Sequence, residues 1–438
     1  MKYFLEIQKA SENPKQMEDL YQTAQENANA DSFQTDLIAC YEDNPGNILL
    51  AAWFYRLQQT TDPDHEKERN GVNWRLAILL SLATGLFFWL FTDESGPLFL
   101  DRVPYLVLLW APIATFFNLV FLARTAGKNY LRTIYVGLGL LLVSGCVFLL
   151  APKLSETYQD HYLILVGIHL PILSWVTIGI SVLGFKSTFK NRFPFLVKST
   201  EAIITAGVYL IFGAVLGGIT FGMFAALNVD IPELWMRLIV VGGYGLLPTL
   251  AVASIYDPTL HPGEQDFSQG LSKFVATMMR LLLPLTLAVL VIYIFVIPFN
   301  FMEPFRQRDV LIVYNLMLFA VMGLLMGATP IRADDISEPM GRWLRNAILA
   351  VAILAVLISI YAMSATVYRT VSWGITINRL VIIGWNIINI GILVTLVYKQ
   401  LKHGFENWVV SLQQTFSLGT NAYVVWSLFI LVVIPLIF

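Results

Sequence analysis

The chain has 438 residues, 57% of them hydrophobic and 13% charged, with a mean hydropathy of +0.66 and a formal net charge of −2. Soluble domains carry about 25% charged residues, so a water-soluble enzyme is the wrong class. Two cysteines, Cys40 and Cys146, leave no basis for a disulfide framework.

Residues 1–70 contain 13 acidic and 6 basic side chains, and the remainder carries the opposite excess. This acidic balance excludes a basic anchor for nucleic acid or for a membrane surface. Residues 1–14 hold no apolar core of a signal peptide, so the first apolar run is expected to serve as the insertion signal. Met17, Leu20, Tyr21 and Ala24 recur at helical spacing, as do Phe33, Leu37 and Tyr41. Pro14 and Pro45 each suit a first helical position, with Asn44 as the N-cap of the second. The run from Ile48 to Tyr55 then gives a third helix an apolar face. That face either packs on its own helices or docks a protein partner, and residues 1–70 are expected to form a small cytoplasmic helical region.

From residue 71 the charges cluster between eleven uncharged runs of at least 17 residues: 76–92, 103–123, 133–152, 161–185, 202–229, 238–256, 281–302, 310–331, 346–368, 380–398 and 407–438. About 20 apolar helical residues cross a bilayer core of about 30 Å. A helix also satisfies its own backbone where no water is present. Residues 71–438 are therefore expected to form an all-α polytopic transmembrane helix bundle of about eleven spans, with membrane lipids as partners. The last run exceeds the need, which allows Trp408 to Leu418 to lie along the interface. Lysine and arginine favour one alternating set of loops by eighteen to seven. Basic residues stay on the cytoplasmic side, which puts the amino terminus inside and Phe438 outside.

Within the runs, Gly213 and Gly217, Gly218 and Gly222, and Gly323 and Gly327 stand four apart, the spacing of helix packing seams. Pro112, Pro171, Pro248 and Pro284 can kink their helices. No run holds a charge at its centre, while Glu201, Arg280 and Arg379 fall near run ends. Asn386 and Asn389 stand three apart near the middle of the tenth run, where they either hydrogen-bond to neighbouring helices or line a binding site. His169, two residues before Pro171, is either a satisfied buried side chain or a proton relay or acyl-transfer base. Phosphate-loop, nucleophile-elbow and zinc motifs are missing, so no cofactor, metal or nucleic acid is expected. Asp334, Asp335 and Glu338 in an inside loop read as a solvated cluster or as ligands for Mg²⁺ and a phosphorylated lipid carrier.

The turn between the ninth and tenth runs reads Tyr368-Arg369-Thr370-Val371-Ser372-Trp373-Gly374-Ile375-Thr376-Ile377-Asn378-Arg379. Gly374 permits a tight reversal, Thr376 can cap the amide of Arg379, and Arg369 suits a helix C-terminus. Arg379 opens a helix, where the macrodipole disfavours a cation, so it calls for an anion. Lipid phosphate is one candidate; a carboxylate from another outer loop, such as Asp101, Glu156, Asp160, Asp230, Glu233 or Glu303, is the other. Through Arg369, Gly374, Thr376 and Arg379 this stretch resembles the signature of domain of unknown function 4153, an uncharacterised bacterial multi-pass membrane family. Trp373, Ile377 and Leu380 depart from that signature. The resemblance covers the last third of the chain and implies a bacterial integral membrane protein without supplying an activity.

Many helices, kinks and mid-membrane asparagines suit a transporter or permease-like protein. A sensing, scaffolding or envelope-assembly protein is the alternative, and a membrane-embedded transferase the third reading.

Overall fold

A computed structural model describes residues 3–26, 29–61, 71–92, 98–268 and 270–438. The chain divides into two compact units, Met1–Gly71 and Val72–Phe438. Lys67 and Arg69, counted above in the first basic cluster, lie outside the described residues.

Among its described residues the first unit holds four helices: α1 Phe4–Ala10, α2 Pro14–Glu26, α3 Ala30–Asp43 and α4 Ile48–Thr61. The periodic residues make its core, with Met17, Ala24, Phe33 and Leu37 fully buried and Leu20, Tyr21 and Tyr41 packed at the margin. α1 escaped the sequence reading because its apolar face is only Ile7 and Ala10, yet both are buried. The third expected helix starts later than its proline suggested. Asn44 closes α3, Pro45 and Gly46 form a turn, and the Asn47 carboxamide caps α4 by accepting from the amides of Leu49 (2.9 Å) and Leu50 (3.0 Å). Leu50, Trp53 and Leu57 turn α4 inward against Phe33 and Tyr21, while Ile48 stays exposed.

The second unit is an all-α membrane bundle. Ten of its helices are long and apolar enough to cross a membrane: α6 Tyr105–Ala126, α7 Tyr130–Leu150, α8 Glu156–Leu183, α9 Phe189–Ala226, α10 Glu233–Ile255, α11 Gly270–Val296, α12 Arg308–Ala328, α13 Glu338–Trp373, α14 Ile377–His403 and α15 Trp408–Ile437. Ahead of them α5, Trp74–Leu90, has 17 residues and reaches about 25 Å at 1.5 Å per residue. It belongs to the same bundle. Its Gly85 lies so close to α10 that an added Cβ would sit 2.5 Å from the Gly242 carbonyl oxygen, and one on Gly245 would sit 2.6 Å from the Gly85 Cα. Gly242 ends a single π turn, Leu238–Gly242, inside α10. The opposite face of α5 exposes Ile78, Leu79, Leu82 and Leu86, as a lipid-facing helix does.

Three expectations shift. α15 runs unbroken from Trp408 to Leu428, with Trp408, Val409, Leu412 and Phe416 buried, so its first half is bundle interior rather than an interfacial segment. α9 begins at Phe189, thirteen residues before the apolar run, because a helix does not stop where charges appear once those charges are paired. Beyond Thr205 no residue of α9 is buried, and a Cβ at Gly213, Gly218 or Gly222 would meet open space. That stripe is therefore no seam within the chain. Glycines under close approach include Gly85 and Gly245 at the α5–α10 contact, Gly184 against Arg132, Gly327 against Met279, Gly384 against Trp426, and Gly419 against Ile392.

Candidate functional site

The turn at Gly374 is built as its residues suggest. Gly374 takes φ +80°, and the Thr376 hydroxyl accepts from the Arg379 amide at 3.4 Å. Arg379 then donates from Nη1 to the Gly374 carbonyl at 2.6 Å, so it closes its own turn. Among the described residues it forms no ion pair, and Asp160 is taken by Arg102 at 2.6 Å. The carboxylate version of the Arg379 expectation is thereby overturned. Arg369 donates from Nη1 to the Arg306 carbonyl at 3.1 Å and lies 5.2 Å from the centroid of the Trp373 ring, joining α13 to the turn before α12.

Deeper in the bundle, Asn386 and Asn389 are buried on the face of α14 that meets its neighbours. The Asn389 Oδ1 accepts from the Tyr423 hydroxyl of α15 at 2.5 Å, while the carboxamide nitrogens of both asparagines lack partners. His169 on α8 is equally buried. Its Nδ1 faces the Leu165 carbonyl at 2.8 Å and its Nε2 accepts from the Trp385 indole at 2.9 Å, which fixes a neutral ring with the proton on Nδ1. Both nitrogens are occupied, so His169 has no lone pair free to act as a base. The Trp385 and Tyr423 rings lie 5.0 Å apart and line a cavity of about 300 Å³ between α8, α9, α12, α14 and α15. Of the loop acids, Asp335 accepts from the Arg332 amide at 3.1 Å and Glu338 pairs with Arg342.

The most developed polar site went unrecognised in the sequence. Lys198 and Glu201 stand at i, i+3 on α9 and so share a face; they are 6% and 1% exposed. Lys198 Nζ donates to Glu201 Oε2 (2.9 Å), to the Ser272 hydroxyl of α11 (2.7 Å) and to the Asp266 carbonyl (2.6 Å), and it lies 4.6 Å from the Phe267 ring centroid. Ser272 in turn donates to Glu201 Oε2 at 2.6 Å. Three groups thus lock one carboxylate oxygen and the ammonium together, which offsets the cost of burying them. The other oxygen, Oε1, is buried with no partner. Glu201 as a residue lines a cavity of about 510 Å³ at the end of the bundle, together with Glu264, Asp266, Lys273, Arg280 and Asp335. Glu264 caps the His261 amide and Asp266 the Ser268 amide, so these acids are engaged locally. Arg280 donates from Nε to the Ala328 carbonyl at 3.4 Å, and the Asp335 carboxylate acts on its charge.

Glu201 was visible as a charge near a run end, but Lys198 was counted as a loop cation. Drawing the span boundary between 201 and 202 hid the pair. No protein-family model, curated protein or solved structure matches the chain.

Proposed function

We propose that this membrane protein is permease-like and takes a small polar ligand into the bundle through the cavity at Glu201. One observation carries the reading: Glu201, its carboxylate held by Lys198 and Ser272 through Oε2 and its Oε1 buried without a partner among the described residues, lines a cavity of about 510 Å³. Ligand sites are concave, of about 300–1,000 Å³, with a few fixed polar groups. A second cavity lies across the same helix, since Leu196 and Thr200 of α9 line the space beside Trp385 and Tyr423 while Val197 and Glu201 line the polar one. The two spaces share the α9 wall, one polar and near a membrane end, the other an apolar pocket between the helices, so a ligand that enters the first lies one helix away from the second. The excess of lysine and arginine on the loops of that end supports a cytoplasmic opening in a bacterial inner membrane. The turn at Gly374 keeps the resemblance to domain of unknown function 4153 as part of this proposal. A transferase draws less support, because His169 is occupied at both nitrogens.

The test is access from water. In a Cys40→Ser, Cys146→Ser background, Thr277→Cys reports on the polar cavity and Gly323→Cys, whose Cβ meets open space, on the inner one. A membrane-impermeant maleimide is expected to label both in proteoliposomes. Labelling of Gly323→Cys by a lipid-soluble maleimide alone would make the bundle a scaffold with no water-connected path.

A further inference from the structure

We infer that a phospholipid of net negative charge binds beside the turn between α6 and α7, its phosphate at Lys128 and Arg132 and an acyl chain in a crevice along α6. The site shares no lining residue with the Glu201 cavity, and it does not rest on the permease reading.

The local sequence builds the head of the site. Gly127 (φ +63°) and Asn129 (φ +65°) take left-handed conformations that turn the chain between the two helices. Lys128 is thereby set at the tip of the turn and Arg132 in the first turn of α7. Both line a pocket of about 340 Å³, together with Asn191 of α9 and with Tyr256 and His261 after α10. Among the described residues no carboxylate lines it. The stretches 123–133 and 184–192 that frame it carry six cations and no acid. Asp257, Glu264 and Asp266 of the third connection lie outside the lining, and each accepts from an amide of its own loop. Neither lining cation has a carboxylate partner among the described residues. Lys128 Nζ reaches the Thr259 carbonyl at 3.5 Å, and Arg132 donates Nε and Nη2 to the Ser181 and Val182 carbonyls in the last turn of α8, at 2.9 and 3.2 Å. A carbonyl satisfies a hydrogen bond but cancels no charge, so two like charges remain on one lining, an arrangement that an anion relieves. This end of the bundle carries the excess of lysine and arginine. Basic pockets between membrane helices on that side take acidic lipid headgroups.

The tail of the site identifies an amphiphile. Leu122, Val182 and Tyr256 line the basic pocket and also a second space of about 330 Å³. Along α6 that space runs from Leu122 to Trp110, about 18 Å into the membrane at 1.5 Å per residue. Its walls are mainly apolar, and Lys198, the one charged residue among them, is already paired with Glu201. Trp110 and Ile203, which line it, are exposed on the outside of the bundle, where lipid chains lie. A basic head space joined to an apolar tail space fits a lipid, whereas a free anion would use only the first.

The experiment is calorimetric titration of the purified full chain in detergent with dioctanoyl phosphatidylglycerol, dioctanoyl phosphatidylcholine and glycerol 3-phosphate. Phosphatidylglycerol is expected to bind about tenfold more tightly than either of the others, as two cations near one lipid phosphate imply. Lys128→Gln is expected to cut its preference over phosphatidylcholine to about threefold or less. Arg124→Gln removes the same charge from the same stretch but outside the lining, and it is expected to leave the preference unchanged. Ala206→Leu, which fills the crevice, is expected to weaken both lipids alike. Equal binding of the two lipids by the unmutated chain, or equal losses in Lys128→Gln and Arg124→Gln, would overturn the headgroup site. Glycerol 3-phosphate binding as tightly as phosphatidylglycerol, with Ala206→Leu silent, would overturn the lipid in favour of a soluble phosphate ester. The maleimide labelling of Thr277→Cys and Gly323→Cys reports on other cavities, so failure here leaves the permease reading standing and failure there leaves the lipid site standing.

Discussion

At Glu201 the two oxygens of one carboxylate meet different fates, and that asymmetry gives the pair its content. Removing Lys198 alone strands a buried charge, so Lys198→Ala is expected to lower stability by about 3–5 kcal/mol, read as a large fall in the detergent melting temperature; an unchanged melting temperature would show that Glu201 is not held by Lys198. In the outer turn, Arg379 meets a backbone carbonyl that a lysine also reaches, so Arg379→Lys is expected to be nearly silent, whereas Thr376→Ala loses a cap of about 1 kcal/mol. Equal losses at both positions would mean that the guanidinium plane is needed after all. Asn389→Leu removes one interhelical hydrogen bond, of the kind that averages about 0.6 kcal/mol in membrane bundles. In the first unit, burial raises the Cys40 thiol pKa, and Asp36 and Asp43 push it the same way. A raised pKa leaves less thiolate at a given pH. Alkylation at pH 8 is therefore expected to be slower than for free cysteine until the unit unfolds, and fast alkylation of the native chain would contradict that burial.

Among the elements, the helices were legible in the sequence wherever apolarity was the deciding force, and illegible where pairing was. Eleven uncharged runs correspond to α5 through α15, and the cap at Thr376, the reversal at Gly374 and the inward face of Asn389 all follow from local chemistry. The start of α9, by contrast, depends on Lys198 meeting Ser272 and Asp266, residues about 70 positions away in sequence. No local pattern encodes that. The glycine spacing in α9 misled for a related reason: small residues permit close approach, but a neighbour must be present, and at Gly213, Gly218 and Gly222 none is. The close approach occurs at Gly85 instead, where Gly85→Ala would press a methyl against the α10 backbone. Overpacking of this kind costs about 1–3 kcal/mol. Gly85→Ala is expected to lower the melting temperature while Gly218→Ala leaves it within error; the opposite order would reverse the assignment of the seam.

For the whole molecule, counting the short α5 as a crossing with the ten longer helices gives the expectation that Gly71 and Phe438 lie on opposite sides, and the charge bias favours the cytoplasm for the first. A reporter active only outside is expected to work after Phe438 and fail at Gly71, and the converse would overturn the orientation. The central claim is that the cavity lined by Glu201 and Ser272 holds a ligand. An experimental density map of the full chain in lipid nanodiscs tests it most directly. The predicted result is non-protein density inside that cavity, against the Glu201 and Ser272 side chains; a cavity that holds only water, or that has collapsed, would contradict the account.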